Sequence, residues 1–259
     1  MNVALVTVGY NLPGFTTKLL DSALDGCCHD VTAIVISHAS MPDKVRELET
    51  LAARSNVIYK GYGENRGLAK SWNEGVLEAF ERGFDVVLVV NEDVTFGPGD
   101  LTQLAEAAAL HRENYIVTGR AFHHSEGVWS SSSYGCFAIN PVAIEQLGCF
   151  DENLFPVYYE DADYKRRAAL ARISSWHCDV TAIQHGGSQS LSQSDVARQN
   201  RVTWTKNREY FNRKWGGDPA QEKFMHPFDD MRYTYYIDPR LRDSPYSGFN
   251  RNDQHIVKV

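Results

Sequence analysis

Four stretches of the chain combine residue types that can do chemistry. Asn91-Glu92-Asp93 follows directly on the apolar run VVLVV. Carboxylates beyond the end of a strand can hold a hard divalent cation, which in turn neutralises a diphosphate. The same acids can also serve only to cap the next element. Glu160, Asp161 and Asp163 fall within the run Tyr159 to Arg167. Acids in a first helical turn suit the macrodipole, and one that faces an aromatic loop can take a proton from a hydroxyl. His185 ends a third stretch and is followed by Gly186-Gly187-Ser188. A neutral imidazole there is either a metal ligand or a structural residue. The fourth, Glu64 to Asn73, brings Asn65, Arg66, Gly67 and Lys70 to a helix entry, where free backbone N–H groups attract anions. An ordinary helix entry would read the same.

These residues need elements to position them. Asn2–Val8, Val31–Ser37, Asn56–Lys60 and Asp85–Val90 are short apolar, β-branched runs that predict buried strands. Between them, Phe15–Leu24, Pro42–Ala53 and Gly67–Arg82 carry apolar residues at helical spacing. Such alternation predicts an α/β fold with a mainly parallel sheet and right-handed crossovers. Ligands of such sheets bind beyond the carboxyl ends of the strands. That selects the loops beginning at Gly9, Ser37, Gly61 and Asn91.

The second half is less regular. It predicts helices over Leu101–His111, Pro141–Leu147, Glu160–Arg172 and Asp195–Trp215, and strands over Tyr115–Gly119, Gly135–Asn140 and Thr181–His185. Ala121–Ser133 reads as a hairpin or mobile loop, with Ser130–Ser133 either a segment that orders on donor binding or a surface hairpin of no special role. Gly148–Tyr159 is an aromatic loop. No linker separates domains. Residues 1–217 form one unit, and 218–259 read as an irregular extension packed on it or on a second copy of the chain.

Of the 259 residues, 43% are hydrophobic and 23% charged, which excludes a disordered chain, a collagen-like repeat and a coiled coil. A net charge of −7 disfavours nucleic acid as a partner. The cysteines (27, 28, 136, 149 and 178) are odd in number and contain no CxxC pair, as suits a reduced compartment. The start MNVALVTVGYNLPG carries no basic n-region and too short an apolar run to read as a signal peptide, and no 18-residue apolar stretch occurs in the sequence. The expectation is a cytoplasmic protein. Arg198, Arg201, Lys206, Arg208, Arg213 and Lys214 on one late helix suggest either a surface peripheral to a membrane or a solvated face.

Order and spacing together say more than any one stretch. LVTVGYN, ENRGLAKSWNEGV, VLVVNEDVTF, FAINPVAIEQLGCFDENLFPVYYEDADYKRR, IQHGGSQS and NREYFNRKWGG follow one another from residue 3 to about 217. In this the chain resembles the family-2 glycosyltransferases of GT-A fold, a Rossmann-like nucleotide-diphospho-sugar transferase architecture, and within them the rhamnosyl- and galactofuranosyltransferase-like branch.

The resemblance implies roles residue by residue. Asn91-Glu92-Asp93 matches the family's Asp-x-Asp element, with Asn91 in place of its first acid. Asp93 matches the metal ligand beneath the donor diphosphate, and His185 a metal-ligand histidine after the base helix. Asp161 matches the general base, with Glu160 and Asp163 orienting acceptor or base. Thr7, Tyr10 and Asn11 match the nucleobase and ribose region, and Asn65, Gly67 and Lys70 the loop that meets nucleotide and phosphate. After strand 2 the family often carries an Asp that pairs with uracil; here Ser37 and His38 stand there, which leaves the donor base open.

The implied activity is inverting, metal-dependent sugar transfer from a nucleoside diphosphate sugar to a glycan, lipid-linked or other hydroxyl. The cofactor is Mn²⁺ or Mg²⁺, and a nitrogen ligand suits Mn²⁺ better. Phe122, Trp129, Tyr134, Phe155, Tyr158 and Tyr159 either line the acceptor side or fill the core and lids. Three rivals stand beside this reading: a catalytically silent domain that only holds a nucleotide sugar or glycan; a sugar nucleotidyltransferase, whose Gly-rich basic loop GYNLPGF lacks; and a glycosyltransferase acting on a nucleic acid base.

Overall fold

Asn2–Gly9 (β1), Asp30–His38 (β2), Val57–Tyr62 (β3) and Val86–Val90 (β4) lie side by side in the computed structural model, all parallel, in the order β3-β2-β1-β4. The structure describes residues 1–24, 27–38, 41–130, 134–187 and 194–239, with the backbone alone for 194–200. Three crossovers join the parallel strands: Pro13–Leu24 (α1), Pro42–Glu49 (α2) with a 3-10 turn over Thr50–Ala53, and Leu68–Glu81 (α3). Every position of β1 after Asn2 and every position of β4 is buried. Both faces of the sheet are covered, so the runs are continuously apolar rather than alternating. Val3, Leu5, Leu88 and Leu104 pack on one face, and Val6, Trp72, Val89 and Tyr164 on the other.

The second half completes the sheet differently. It comprises Val94–Thr95 (β5), Asp100–Leu110 (α4), Ile116–His123 (β6), Val128–Ser130 (β7), Cys136–Ile139 (β8), Pro141–Gln146 (α5), Glu160–Ala171 (α6), Trp176–His185 (β9) and Ser194–Trp215 (α7). The order runs on as β4-β8-β6-β9-β5, with β7 paired to β6. β8 is antiparallel to β4 and β6, β9 is parallel to β6, and β5 is antiparallel to β9. The sheet is therefore parallel in its first half and mixed in its second.

Three features differ from the sequence reading. β5 has two residues, below the length at which periodicity is visible. β6 runs on through His123, past a register shift between Gly119 and Ala121 that interrupts its pattern. β9 begins at Trp176, because Asp179 and Val180 are exposed and break the apolar run. Residues 218–239 lie on the same body. Phe224 N–H donates to Trp215 O, Ile237 N–H to Leu147 O, and Cys149 N–H to Ile237 O. Residues 240–259, Ser131–Ser133, Ser188 and the Arg198 side chain lie outside the described residues. Among those described, no helix is long and apolar enough to cross a membrane, and all five cysteines are free.

Candidate active site

The short strand β5 builds the first half of the site. Val94 pairs with His185 at the end of β9, and Gly186 N–H donates to Asp93 O at 2.9 Å. Side chains 92 residues apart in sequence thereby meet: His185 Nε2 lies 3.3 Å from Asp93 Oδ1, with both residues buried. The Asn91 amide stands 3.5 Å from the same nitrogen. Both separations exceed a good N–H···O bond of about 2.9 Å. The carboxylate–imidazole separation suits two atoms that share an ion, since two ligands at about 2.1 Å and right angles sit about 3.0 Å apart, whereas the Asn91 amide nitrogen is a donor and not a ligand. Among the described residues no group of three or more His, Cys, Asp or Glu converges on a metal position. An oxygen and a nitrogen donor with open positions fit a divalent cation that substrate phosphates complete.

Two residues that the sequence reading did not single out hold His185. His123 Nδ1 lies 3.0 Å from His185 Nδ1. Burial and the neighbouring His185 imidazole hold His123 below the ordinary histidine range. On its other side the ring lies on Gly135, where a Cβ would come within 2.6 Å of Cε1. Neither residue stands in a motif. His123 is legible only through the β6–β9 pairing, which sets it opposite His185.

The second half of the site opens helix α6. Tyr158 and Tyr159 both take positive φ, at 82° and 73°, which is strained for bulky residues. The turn is held from α7: Asn207 Nδ2 donates to Val157 O at 2.8 Å and to Tyr158 O at 3.1 Å, and the Tyr159 ring packs on Trp204 and Phe211. The three acids then part company. Asp161 is 40% exposed, with Lys165 Nζ at 3.8 Å. Lys165 in turn lies over the Tyr134 ring, 4.8 Å from its centroid. Tyr134 precedes Gly135, so a short chain of contacts links Asp161 to the His185 side of the site.

Glu160 is buried, and its Oε2 has no hydrogen-bond partner among the described residues. Burial first, and the neighbouring Asp161 second, push its carboxyl up to about 8. Asp163 turns inward. Its carboxylate is fully buried and bound by Arg167 Nε at 2.8 Å, Lys214 Nζ at 2.7 Å and Trp215 Nε1 at 2.8 Å. Burial alone would raise this acid, but the Lys214 and Arg167 charges outweigh it and hold it below its ordinary value. It is an anchor between α6 and α7 rather than the orienting group that the sequence suggested.

The loops expected to meet the donor are engaged with one another. The Glu92 carboxylate is buried and accepts from Tyr10 N–H at 3.2 Å and Thr16 Oγ1 at 3.0 Å. It ties the end of β4 to the β1–α1 loop. Asn11, at φ 61°, accepts from Met41 N–H at 3.0 Å. The Tyr10 ring lies 5.9 Å from that of His38, which follows Ser37 at the end of β2. Thr7 is buried with a hydroxyl that has no partner among the described residues.

At the entry to α3 the expectation of free N–H groups fails for two of them. Gly67 N–H donates to Asn65 Oδ1 at 2.9 Å, and Leu68 N–H to Pro156 O at 2.7 Å. Gly67 holds φ 82° against the Phe155 ring, which a Cβ would approach to 2.8 Å. Arg66 pairs with Glu74 at 2.7 Å and stacks on Tyr62. Lys70 is half-buried on the first turn of α3.

A mixed sheet, parallel in its first half and flanked by helices, is the GT-A architecture. The chain belongs to glycosyl transferase family 2, whose model matches residues 5–167, more than half of it. No curated protein matches the sequence. Similar solved structures include S. aureus TarS 1-349, at 17% identity and TM-score 0.58, covering 78% of this chain and 65% of that one. The mannosyltransferase PcManGT from Pyrobaculum calidifontis, in complex with GDP-Man and Mn²⁺, is 14% identical at TM-score 0.53, with 78% and 60% covered. GalNAc-T7 with UDP, GalNAc and Mn²⁺ is 11% identical at TM-score 0.57, with 83% and 50% covered. At these identities the likeness is one of fold. The chain spans between half and two thirds of the length of these three structures.

Proposed function

We propose that residues 1–217 form a transferase unit, with 218–259 as its extension, that moves a sugar from a nucleoside diphosphate sugar to an acceptor hydroxyl with inversion at the anomeric carbon. One observation carries the reading: the β5–β9 pairing brings Asp93 and His185 to 3.3 Å, while Asp161 stands separate and exposed beside Lys165. These are the two parts that the chemistry needs, one for the leaving group and one for the nucleophile.

Asp93 and His185 would hold a divalent cation, Mn²⁺ or Mg²⁺, which when bound stabilises the charge on the departing diphosphate. Asp161 takes the proton of the acceptor hydroxyl as its oxygen bonds to the anomeric carbon. The bond from that carbon to the diphosphate oxygen breaks on the opposite face of the sugar, which inverts the centre. Lys165, 3.8 Å from Asp161, places a positive charge beside the carboxylate. Glu160, with its carboxyl pushed up to about 8, carries its proton at neutral pH. It can donate a hydrogen bond to an acceptor hydroxyl but is not the base. Tyr10 and His38 supply the ring surfaces nearest the expected nucleobase.

The test takes a donor chosen by a thermal-shift screen of nucleotide sugars with Mn²⁺. Asp161→Asn should bind that donor as the wild type does and lose about 10²- to 10⁴-fold in turnover. Near-normal transfer by this variant would remove Asp161 from the role of base.

A further inference from the structure

His185 is gripped from two sides, and the grip has a chemical consequence. Gly135 lies flat against the ring, close enough that a Cβ would meet Cε1 at 2.6 Å, Nδ1 at 2.8 Å and Nε2 at 3.0 Å. That contact fixes the ring plane. Within the plane, Nε2 points at Asp93 Oδ1 and Asn91, and Nδ1 points at His123 Nδ1, 3.0 Å away. Two imidazole nitrogens at that distance share one hydrogen, so one donates and the other accepts.

The direction of that bond decides what His185 can do. A neutral imidazole has one N–H and one lone pair. If His123 donates, Nδ1 of His185 is the acceptor, and its hydrogen sits on Nε2, facing Asp93. No cation can then use Nε2. If His185 donates from Nδ1, the Nε2 lone pair is directed at Asp93 and Asn91. A metal-binding imidazole commonly owes its tautomer to such an outer partner. His123 Nε2 is buried and without a partner among the described residues. No other hydrogen bond there fixes the His123 tautomer, and it can adapt to what His185 requires.

We infer that His123 is a positioning residue for the metal-ligand His185: its Nδ1 accepts the Nδ1–H of His185 and so frees Nε2 to bind a divalent cation together with Asp93. The inference rests on the reading of Asp93 and His185 as a cation site. It adds that the site is set by a residue of the hairpin strand β6, outside the family's acidic motifs. His123 does not itself touch the ion.

The experiment titrates the full chain with Mn²⁺ alone and follows free Mn²⁺ by electron paramagnetic resonance. His123→Leu removes the acceptor and should weaken Mn²⁺ binding about 10- to 100-fold. His123→Asn places Oδ1 near the position of the lost Nδ1 and should recover most of that loss. Spin-echo modulation of the wild-type complex should report one directly bound imidazole. Wild-type affinity in His123→Leu would overturn the inference. Equal weakening in the Asn and Leu variants would do so too, since the acceptor would not matter. Two bound imidazoles would make His123 a ligand and overturn it differently. Asp93→Ala separates the two levels. If it abolishes binding while His123→Leu leaves it intact, the cation site stands and only the role of His123 falls. If the wild type and Asp93→Ala bind Mn²⁺ alike, the cation site falls and takes the inference with it.

Discussion

The two acidic runs look alike in sequence and diverge in the same way in space. In Asn91-Glu92-Asp93, Glu92 turns inward to Tyr10 and Thr16 while Asp93 faces His185. In Glu160-Asp161-Ala162-Asp163, Asp163 turns inward to Arg167, Lys214 and Trp215 while Asp161 stays 40% exposed. Each run thus has one acid turned into the scaffold and one that the proposed transfer would use. The difference lies in what surrounds the structural member. Glu92 accepts from an amide and a hydroxyl. Asp163 meets two cations and an indole in a site from which water is excluded. The first holds a loop to a strand; the second holds two helices together through charge.

The comparison is broken most severely at Asp163. Asp163→Asn leaves Arg167 and Lys214 facing each other with their shared counter-charge gone. Removing one partner of a buried ionic cluster costs about 3–5 kcal/mol. Urea denaturation of the full chain should show that loss. Asp151, which also accepts from Lys214 at 2.6 Å, retains part of the pairing and so limits the effect. Asp161→Asn, two residues away, should leave the urea midpoint nearly unchanged. Equal midpoints for the two variants would show that the run does not divide as described.

Glu92 should give a smaller effect of the same kind. Glu92→Ala leaves the Tyr10 N–H and Thr16 hydroxyl without their acceptor, a cost of about 1–3 kcal/mol for buried groups. Mn²⁺ affinity should change little, because the carboxylate is spent on the β1–α1 loop. If Mn²⁺ binding collapsed while stability held, Glu92 would belong with Asp93 rather than with the scaffold.

This division explains what could be read from sequence and what could not. The parallel half was legible because β1, β2 and β4 are covered on both faces and therefore continuously apolar. The acidic runs were legible as places, because an acid after such a strand or at a helix start is easy to see. Which acid turns inward was not, since that depends on Lys214 and Trp215 from a helix some 50 residues later. The Asp93–His185 pair followed from family resemblance, yet its cause, the two-residue strand β5, carries no periodic signal. The family match ends at Arg167, so β9 and α7 lie beyond it. His123 and Gly135 lay hidden for a related reason: each matters only through a strand pairing that no local pattern announces.

A pH series distinguishes the two buried acids of the second run. Asp163 is held below its ordinary value by cations, whereas Glu160 is pushed up to about 8 by burial and by Asp161. Their contributions to stability therefore run in opposite directions with pH. A depressed acid stabilises at neutral pH and loses that contribution as pH falls through its folded value. A raised one does the reverse. Below an unfolded value near 4.5, Glu160 is protonated in both states and costs nothing. Between there and about 8 the unfolded chain ionises while the folded chain does not, and stability falls as pH rises. The slope is at most about 1.4 kcal/mol per pH unit. Glu160→Gln keeps the shape of the neutral side chain and cannot titrate. Urea unfolding at pH 5, 6, 7 and 8 should show the variant gaining on the wild type at each step. Parallel curves would mean that Glu160 is ionised in the folded protein, and its assignment as a proton-bearing donor beside Asp161 would fail with them.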